Sequence, residues 1–352
     1  ANDTSNVVSV DSEDVVVIRG DEAFLWKGAQ SRLCKHIKEA RKEQKSQKTL
    51  RLYLQVPCGI IDQQNTHGNI VIGLYGMKLA AIAFGAEFTF RCEERERKES
   101  LLWWLQSKTD PSETDTNRLF VNNNALYDPP LPTTDLACRG FGRAPLHYTS
   151  EYVRHDFRAM ATELAPSMNS KGIVIDEVAI HFRCGDTLSD SMSPEDTNYG
   201  LVQFQAYRKR IPPSADSIGI VTAPFSDTDR RKQDWGSGEM CRTLVSELVD
   251  YLRLHFPEAR VRIRNDPSET IPEVMTRLIL AKHNFCVRSS FCALPSMASY
   301  GTSYVQKRGT SCFVEDASGF YEDLQLMDEP FLLMREIHER GFNSTLRWLT
   351  ES

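Results

Sequence analysis

The stretch that decides the fold is Ile173-Val174-Ile175-Asp176-Glu177-Val178-Ala179-Ile180, running into His181-Phe182-Arg183-Cys184-Gly185-Asp186. An apolar, β-branched run of this length reads as a buried strand. Its end delivers a histidine, an arginine, a glycine and an aspartate within six residues. In an open α/β sheet, ligands bind beyond the carboxyl ends of the strands. An arginine there offers a planar fork for phosphate or carboxylate, and a glycine allows close backbone approach or a sharp turn. The same hexapeptide also suits a salt-bridged strand end with no ligand.

Outward from that strand, the pattern of the second half keeps alternating. Strands are expected at 217–222, 259–264 and 284–287, and helices at 239–255, 271–282 and 293–300. A C-terminal helix is expected at 331–340. The first half contains a shorter version of the same pattern: a strand at 50–56, a small-residue buried helix at 70–84 and a strand at 87–90. Such a strand–helix–strand succession is a βαβ unit, and its repetition predicts parallel, doubly wound sheets. Gln30 to Gln47 reads as a solvent-facing helix, and the first twenty residues as a fraying polar segment with one valine run. A helix is expected over 151–165. The chain from Lys108 to Arg143 is rich in Pro, Asp, Thr and Asn and reads as irregular surface. Pro166 to Gly172 is the linker candidate. A chain of 352 residues exceeds what one core comfortably supports, so two domains are expected, 1–166 and 172–352. The last helix would pack back on the first of them.

Bulk properties narrow the partners. A net charge of −6 argues against nucleic acid. The basic clusters at 95–98 and 230–232 are diluted by acids and read as solvated faces. No window approaches the roughly 18 consecutive apolar residues of a membrane span. The chain starts at Ala1 without an initiator methionine, as a processed chain would, and any membrane attachment is expected through an anchor missing from that end. Nine cysteines show no CxxC pair and no zinc spacing. With the sequons Asn2-Asp3-Thr4 and Asn343-Ser344-Thr345, they favour the secretory lumen.

Three segments share one logic of anion binding. His67-Gly68-Asn69 precedes the helix at 70, where free N–H groups and the positive dipole end suit anions; an ordinary turn with an Asn cap is the alternative. The central hexapeptide is the second. Ser289-Ser290-Phe291-Cys292 opens the helix near 293, where hydroxyls either cap the helix or hold phosphate with the same geometry. Asp266 at a strand end can accept from a purine edge or cap the helix starting near Ile271.

Together these residues resemble the α1,2-, α1,6- and protein O-fucosyltransferase superfamily. His181, Arg183, Gly185 and Asp186 match its central His-x-Arg-x-Gly-Asp pattern position by position. Gly68-Asn69 is similar to its Gly-x-Gly-Asn loop, with Thr66 where the first glycine often stands. Asp266 through Phe291 is similar to its third region. The likeness covers roughly residues 50–92 and 171–305. It implies a GT-B-like α/β fold, two Rossmann-like domains facing across a cleft, with GDP-fucose held mainly by the second. It implies Arg183 on the β-phosphate, His181 on the nucleotide, and Asp266 on guanine. Ser289, Ser290 and Phe291 would surround the phosphates, and Gly68 and Asn69 would close on the pyrophosphate. The implied reaction inverts the anomeric carbon, uses no metal and takes a glycan or glycoprotein hydroxyl as acceptor, in the Golgi lumen. The general base would be a carboxylate on the acceptor side, Asp62 ahead of Asp190, with Asp186 orienting Arg183 or His181.

Three rivals remain in view. Asp227-Thr228-Asp229 after a strand would serve a metal-dependent GT-A transferase. Cys184 near His181 would serve a cysteine hydrolase, although a packed or disulfide-bonded thiol suits it better. A glycan- or nucleotide-binding relative without catalysis is the non-enzymatic reading. Gly236-Ser237-Gly238 reads as an exposed turn.

Overall fold

The computed structural model describes residues 15–19, 33–35, 37–39, 51–56, 67–92, 99–106, 147–184, 200–225, 237–307 and 321–351. The chain divides into two compact units, Ala1–Val153 and Arg154–Ser352.

Among its described residues the first unit is built on three parallel strands in the order β1-β2-β3: β1 (Val15–Arg19), β2 (Arg51–Val56) and β3 (Glu87–Cys92). Helix α1 (His67–Ala83) links β2 to β3 as the expected βαβ unit. It is apolar nearly all round, and Val71, Leu74, Tyr75, Met77, Leu79 and Ala80 are all buried, as a helix enclosed on several sides must be. Strand β1 corrects the expectation of a fraying start. Val15–Arg19 runs parallel to Arg51–Gln55, because a β-branched run gains order once a neighbouring strand supplies its ladder. Residues 33–35 and 37–39, within the range expected to be a solvent-facing helix, are helical, with Leu33 and Ile37 buried and Lys35, Lys38 and Glu39 exposed. A short helix, α2 (Leu101–Leu105), follows.

Helix α3 (His147–Ser170) starts in the first unit and runs into the second. Residues 166–170 of the expected linker continue this helix. Phe157, Met160, Ala161, Leu164 and Met168 continue one buried stripe past Pro166. The helix then closes on a Schellman cap, with Ile173 N–H donating to Met168 O at 2.9 Å and Gly172 N–H to Asn169 O at 3.0 Å. Gly172 has φ +73°, which explains the glycine.

Among its described residues the second unit holds six parallel strands in the order β10-β9-β8-β4-β6-β7. They are β4 (Val178–His181), β6 (Ser217–Val221), β7 (Arg260–Arg264), β8 (His283–Cys286), β9 (Thr302–Gln306) and β10 (Leu324–Met327). Helices α5 (Ser237–His255), α6 (Ile271–Leu280) and α7 (Ser290–Ala298) connect them. The class expected from the alternating pattern, α/β with a parallel sheet flanked by helices, is therefore present. Among the described residues no helix is long and apolar enough to cross a membrane.

Alternation sorts the two faces. Val178, Ile180, Ile218, Ile220, Val261 and Phe285 pack with Leu244, Val245, Leu248 and Leu252 of α5 in one core. Each fully buried side chain of this kind contributes about 1.5–3 kcal/mol. The opposite face carries Ala179, Gly219 and Asn284, under α6 and α7; Asn284 donates to Ser296 of α7 at 3.0 Å. Strand β5 (Gly200–Val202) and β11 (Phe331–Leu333) form a separate antiparallel pair, with α4 (Gln205–Arg208) after β5. The expected helix at 331–340 is thus a strand followed by α8 (Met334–Arg340), because Phe331 and Leu332 bury against β5. Helix α9 (Phe342–Thr350) ends the fold and packs on α5. Ser237 and Gly238, expected in an exposed turn, open α5 instead.

The deciding stretch is shorter as a strand than its sequence suggests. The ladder begins at Val178. Asp176 folds onto the sheet face instead and accepts from Arg264 Nε and Nη2, both at 2.7 Å. Arg277 of α6 stands 3.6 Å from the same carboxylate, 2.6 Å from Glu269, and donates to Val174 O. Gly219 makes the room, since a Cβ there would run into the Asp176 carboxylate.

Candidate functional site

Strands β4 and β8 lie side by side, with His181 opposite Cys286. From β4 the chain proceeds one way to β6 and β7, then returns to β8 and proceeds the other way to β9 and β10. The gap beyond the ends of β4 and β8 is therefore the point where strand order reverses, the place where open α/β sheets hold ligands. The central hexapeptide and the Ser289-Ser290 turn both end there.

Alternation aims the side chains. His181 follows Ala179 toward the α7 face, while Phe182 joins the α5 core. The Phe182 N–H donates to Val221 O at 2.9 Å, extending the ladder one step past β4. The His181 ring stacks on Phe291 with centroids 5.4 Å apart and planes 24° apart. Arg183 Nη1 reaches Ser289 Oγ at 3.5 Å, the outer limit of a hydrogen bond. Ser289 is the N-cap of α7, its hydroxyl accepting from Phe291 N–H at 3.3 Å. No acidic side chain stands in the first turn of α7 itself, whose free N–H groups form the positive end of its dipole. A guanidinium, a serine hydroxyl and a helix N-terminus thus converge, an arrangement suited to a phosphate-like anion.

The structure brings together His181, Arg183, Ser289 and Phe291, with Ser290 half-buried beside them. Asp266 stands apart, beyond the end of β7. With β6 between β4 and β7, that is about 10 Å across the sheet edge. It does not cap α6, whose N-cap is Thr270. Its Oδ1 accepts from Ser268 N–H at 2.9 Å and from the Ser268 hydroxyl at 2.7 Å. Those bonds, the backbone one first, hold its carboxyl below the usual range. Gly68 and Asn69 occupy the first turn of α1 in the first unit, so Asn69 is not a cap. Asp62, Gly185, Asp186, Asp190, Asp227 and Asp229, and the segment from Lys108 to Arg143, lie outside the described residues.

Cys184 is disulfide-bonded to Cys241 of α5, which removes the cysteine hydrolase reading, because a bonded sulfur is no thiolate nucleophile. A second disulfide joins Cys286 at the end of β8 to Cys292 in α7. Cys34 and Cys92 are disulfide-bonded as well. Bonds of this kind fit a secreted or lumenal protein. The spacing of the cysteines does not reveal these pairings. The alternation that sends Cys184 toward α5, opposite in direction to Arg183, was the available signal. Among the described residues no group of three or more His, Cys, Asp or Glu side chains gathers to hold a metal ion. Compared with family models and with curated proteins, the chain matches none.

Proposed function

We propose that this chain is an inverting, metal-independent glycosyltransferase of GT-B type that moves fucose from GDP-fucose to a hydroxyl of a glycan or glycoprotein. The observation that carries the reading is the meeting of Arg183 and Ser289, 3.5 Å apart, at the N-terminus of α7 where strand order reverses. Glycosyl transfer breaks the bond between C1 of the sugar and the β-phosphate oxygen, and negative charge builds on the departing diphosphate. Arg183, the serine hydroxyls and the first N–H groups of α7 offer fixed donors for that charge. The acceptor hydroxyl attacks C1 from the opposite face and gives its proton to a carboxylate, Asp62 ahead of Asp190, as base. His181 and the Phe291 ring flank the nucleotide, Asp266 takes the guanine edge, and Asp186 orients Arg183. Gly68 and Asn69 contribute backbone to the pyrophosphate. The disulfides and exposed Asn343 support a place in the secretory pathway, which we assign to the Golgi lumen.

A panel of sugar nucleotides with hydrolysis as readout tests this without knowledge of the acceptor. GDP-fucose should be turned over, and turnover should persist in saturating EDTA. Arg183→Ala should lower turnover by about 10²–10³-fold, the usual cost of removing one donor from a developing anion, and should weaken GDP binding. Wild-type turnover in that variant would sink the assignment.

A further inference from the structure

We propose that the disulfides Cys184–Cys241 and Cys286–Cys292 are positioning elements of the diphosphate site, one aiming Arg183 and the other shaping the Ser289 turn. The inference rests on the reading of that site as a nucleotide-diphosphate site and names what holds it in shape.

Each bond grips a residue next to a proposed ligand group. Cys184 follows Arg183 directly, beyond the last residue of β4. It is tied to Cys241, in the second turn of α5, with 5.7 Å between Cα atoms. Neighbouring side chains in an extended segment point opposite ways. Fixing Cys184 onto α5 therefore turns Arg183 toward α7, where its guanidinium meets Ser289. The tether acts just past the Phe182–Val221 hydrogen bond, the last backbone step that extends the ladder beyond β4.

The second bond joins cysteines six apart in sequence, from the last residue of β8 to the third of α7. Between them lie Val287, Arg288, Ser289, Ser290 and Phe291. Arg288 has φ +34°, a conformation that a residue with a side chain rarely adopts. That turn is what brings Ser289 to the N-cap of α7 and stacks Phe291 on His181. A cross-link over so short a loop removes little chain entropy from the unfolded state, so its main effect is on local shape. Cys286 and Cys292 are both buried, which keeps the bond out of reach of exchange in the folded protein.

The test replaces each pair as a whole, C286A/C292A and C184A/C241A, so that no free thiol is left. GDP and GMP affinities are measured by calorimetry at a temperature where circular dichroism shows wild type and variant fully folded. GMP lacks the β-phosphate, so the ratio of the two affinities reports the diphosphate contacts alone. Each variant should bind GDP about tenfold more weakly, as a misplaced binding group does, and should lose less affinity for GMP, so that the GDP/GMP affinity ratio falls. A merely structural role would lower the melting temperature and leave the GDP/GMP ratio as in wild type; that result overturns the proposal. If one pair fails to fold, the other carries the same test, and failure of both to fold overturns it too. A wild-type protein that binds neither nucleotide would refute the transferase reading itself, a separate result.

Discussion

Asp176 is the residue on which the second unit's inner face depends. Its carboxylate and the Arg277 guanidinium are each about 1% exposed, and Arg264 closes the group with two hydrogen bonds. Pairing with Asp176 holds the Arg264 guanidinium above its ordinary value. Removing one partner of such a cluster leaves buried charge uncompensated. Asp176→Ala should therefore cost about 3–5 kcal/mol, read as a lower midpoint in urea denaturation. A loss under about 1 kcal/mol would mean that water reaches the arginines. Arg183 is the contrasting arginine. Its guanidinium stands 3.5 Å from the Ser289 hydroxyl beyond the strand ends, and its replacement should be felt in nucleotide binding. Both arginine-binding patterns look alike in one dimension: an acid near a strand, and a base beyond it.

At the level of elements, α3 shows how a local rule yields to packing. Proline followed by Ser, Asn and Gly reads as a break, yet Met168 is fully buried beyond Pro166 and carries the helix onward to its cap. The true stop is Gly172. A Cβ at that position meets nothing within 4 Å, so Gly172→Ala should cost only the backbone penalty of the left-handed region, about 1–2 kcal/mol. Thermal unfolding of the variant checks this, and an unchanged melting temperature would place the helix end elsewhere. Similarly, α6 begins where Glu273 accepts from Thr270 N–H at 2.8 Å. Thr, Pro and Glu in that spacing make the start readable from sequence alone. Strands β9, β10 and β11 were not readable in this way. They are short, and their ladders come from distant partners.

Among the described residues of the second unit, two histidines and two carboxyls are displaced in the same direction. Burial lowers His255 and His283 below the ordinary histidine value. A backbone hydrogen bond from Asp216 lowers Glu177. Burial acts to raise Glu273, but Lys171 at 2.7 Å and Thr270 outweigh it and the net direction is down. In every case the unfolded chain takes up the proton at higher pH than the folded one, so stability is lost as pH falls. The histidine part goes first, below about pH 6.5, and the carboxylate part below about pH 4.5. Tyr207, fully buried, is raised by desolvation, so stability also declines above about pH 10 as the unfolded tyrosine ionises. The melting temperature should therefore fall from pH 7 to pH 5. His283→Asn should flatten that slope, since the Nδ1 of His283 is buried without a hydrogen-bond partner. A slope unchanged by the substitution would remove His283 from the account.

What the sequence by itself determined is the class and the location of interest. Period-two and period-3.6 patterns alternate along the second half, and local chemistry alone places His181, Arg183, Ser289 and Phe291 at the ends of elements. Tertiary structure alone decided their neighbours. Whether β4 lies beside β8, whether Cys184 pairs with Cys241, and whether Asp176 joins a strand or locks onto Arg264 all depend on strand order. Strand order is set by burying both faces of one sheet at once, and that energy belongs to contacts between residues far apart in the chain.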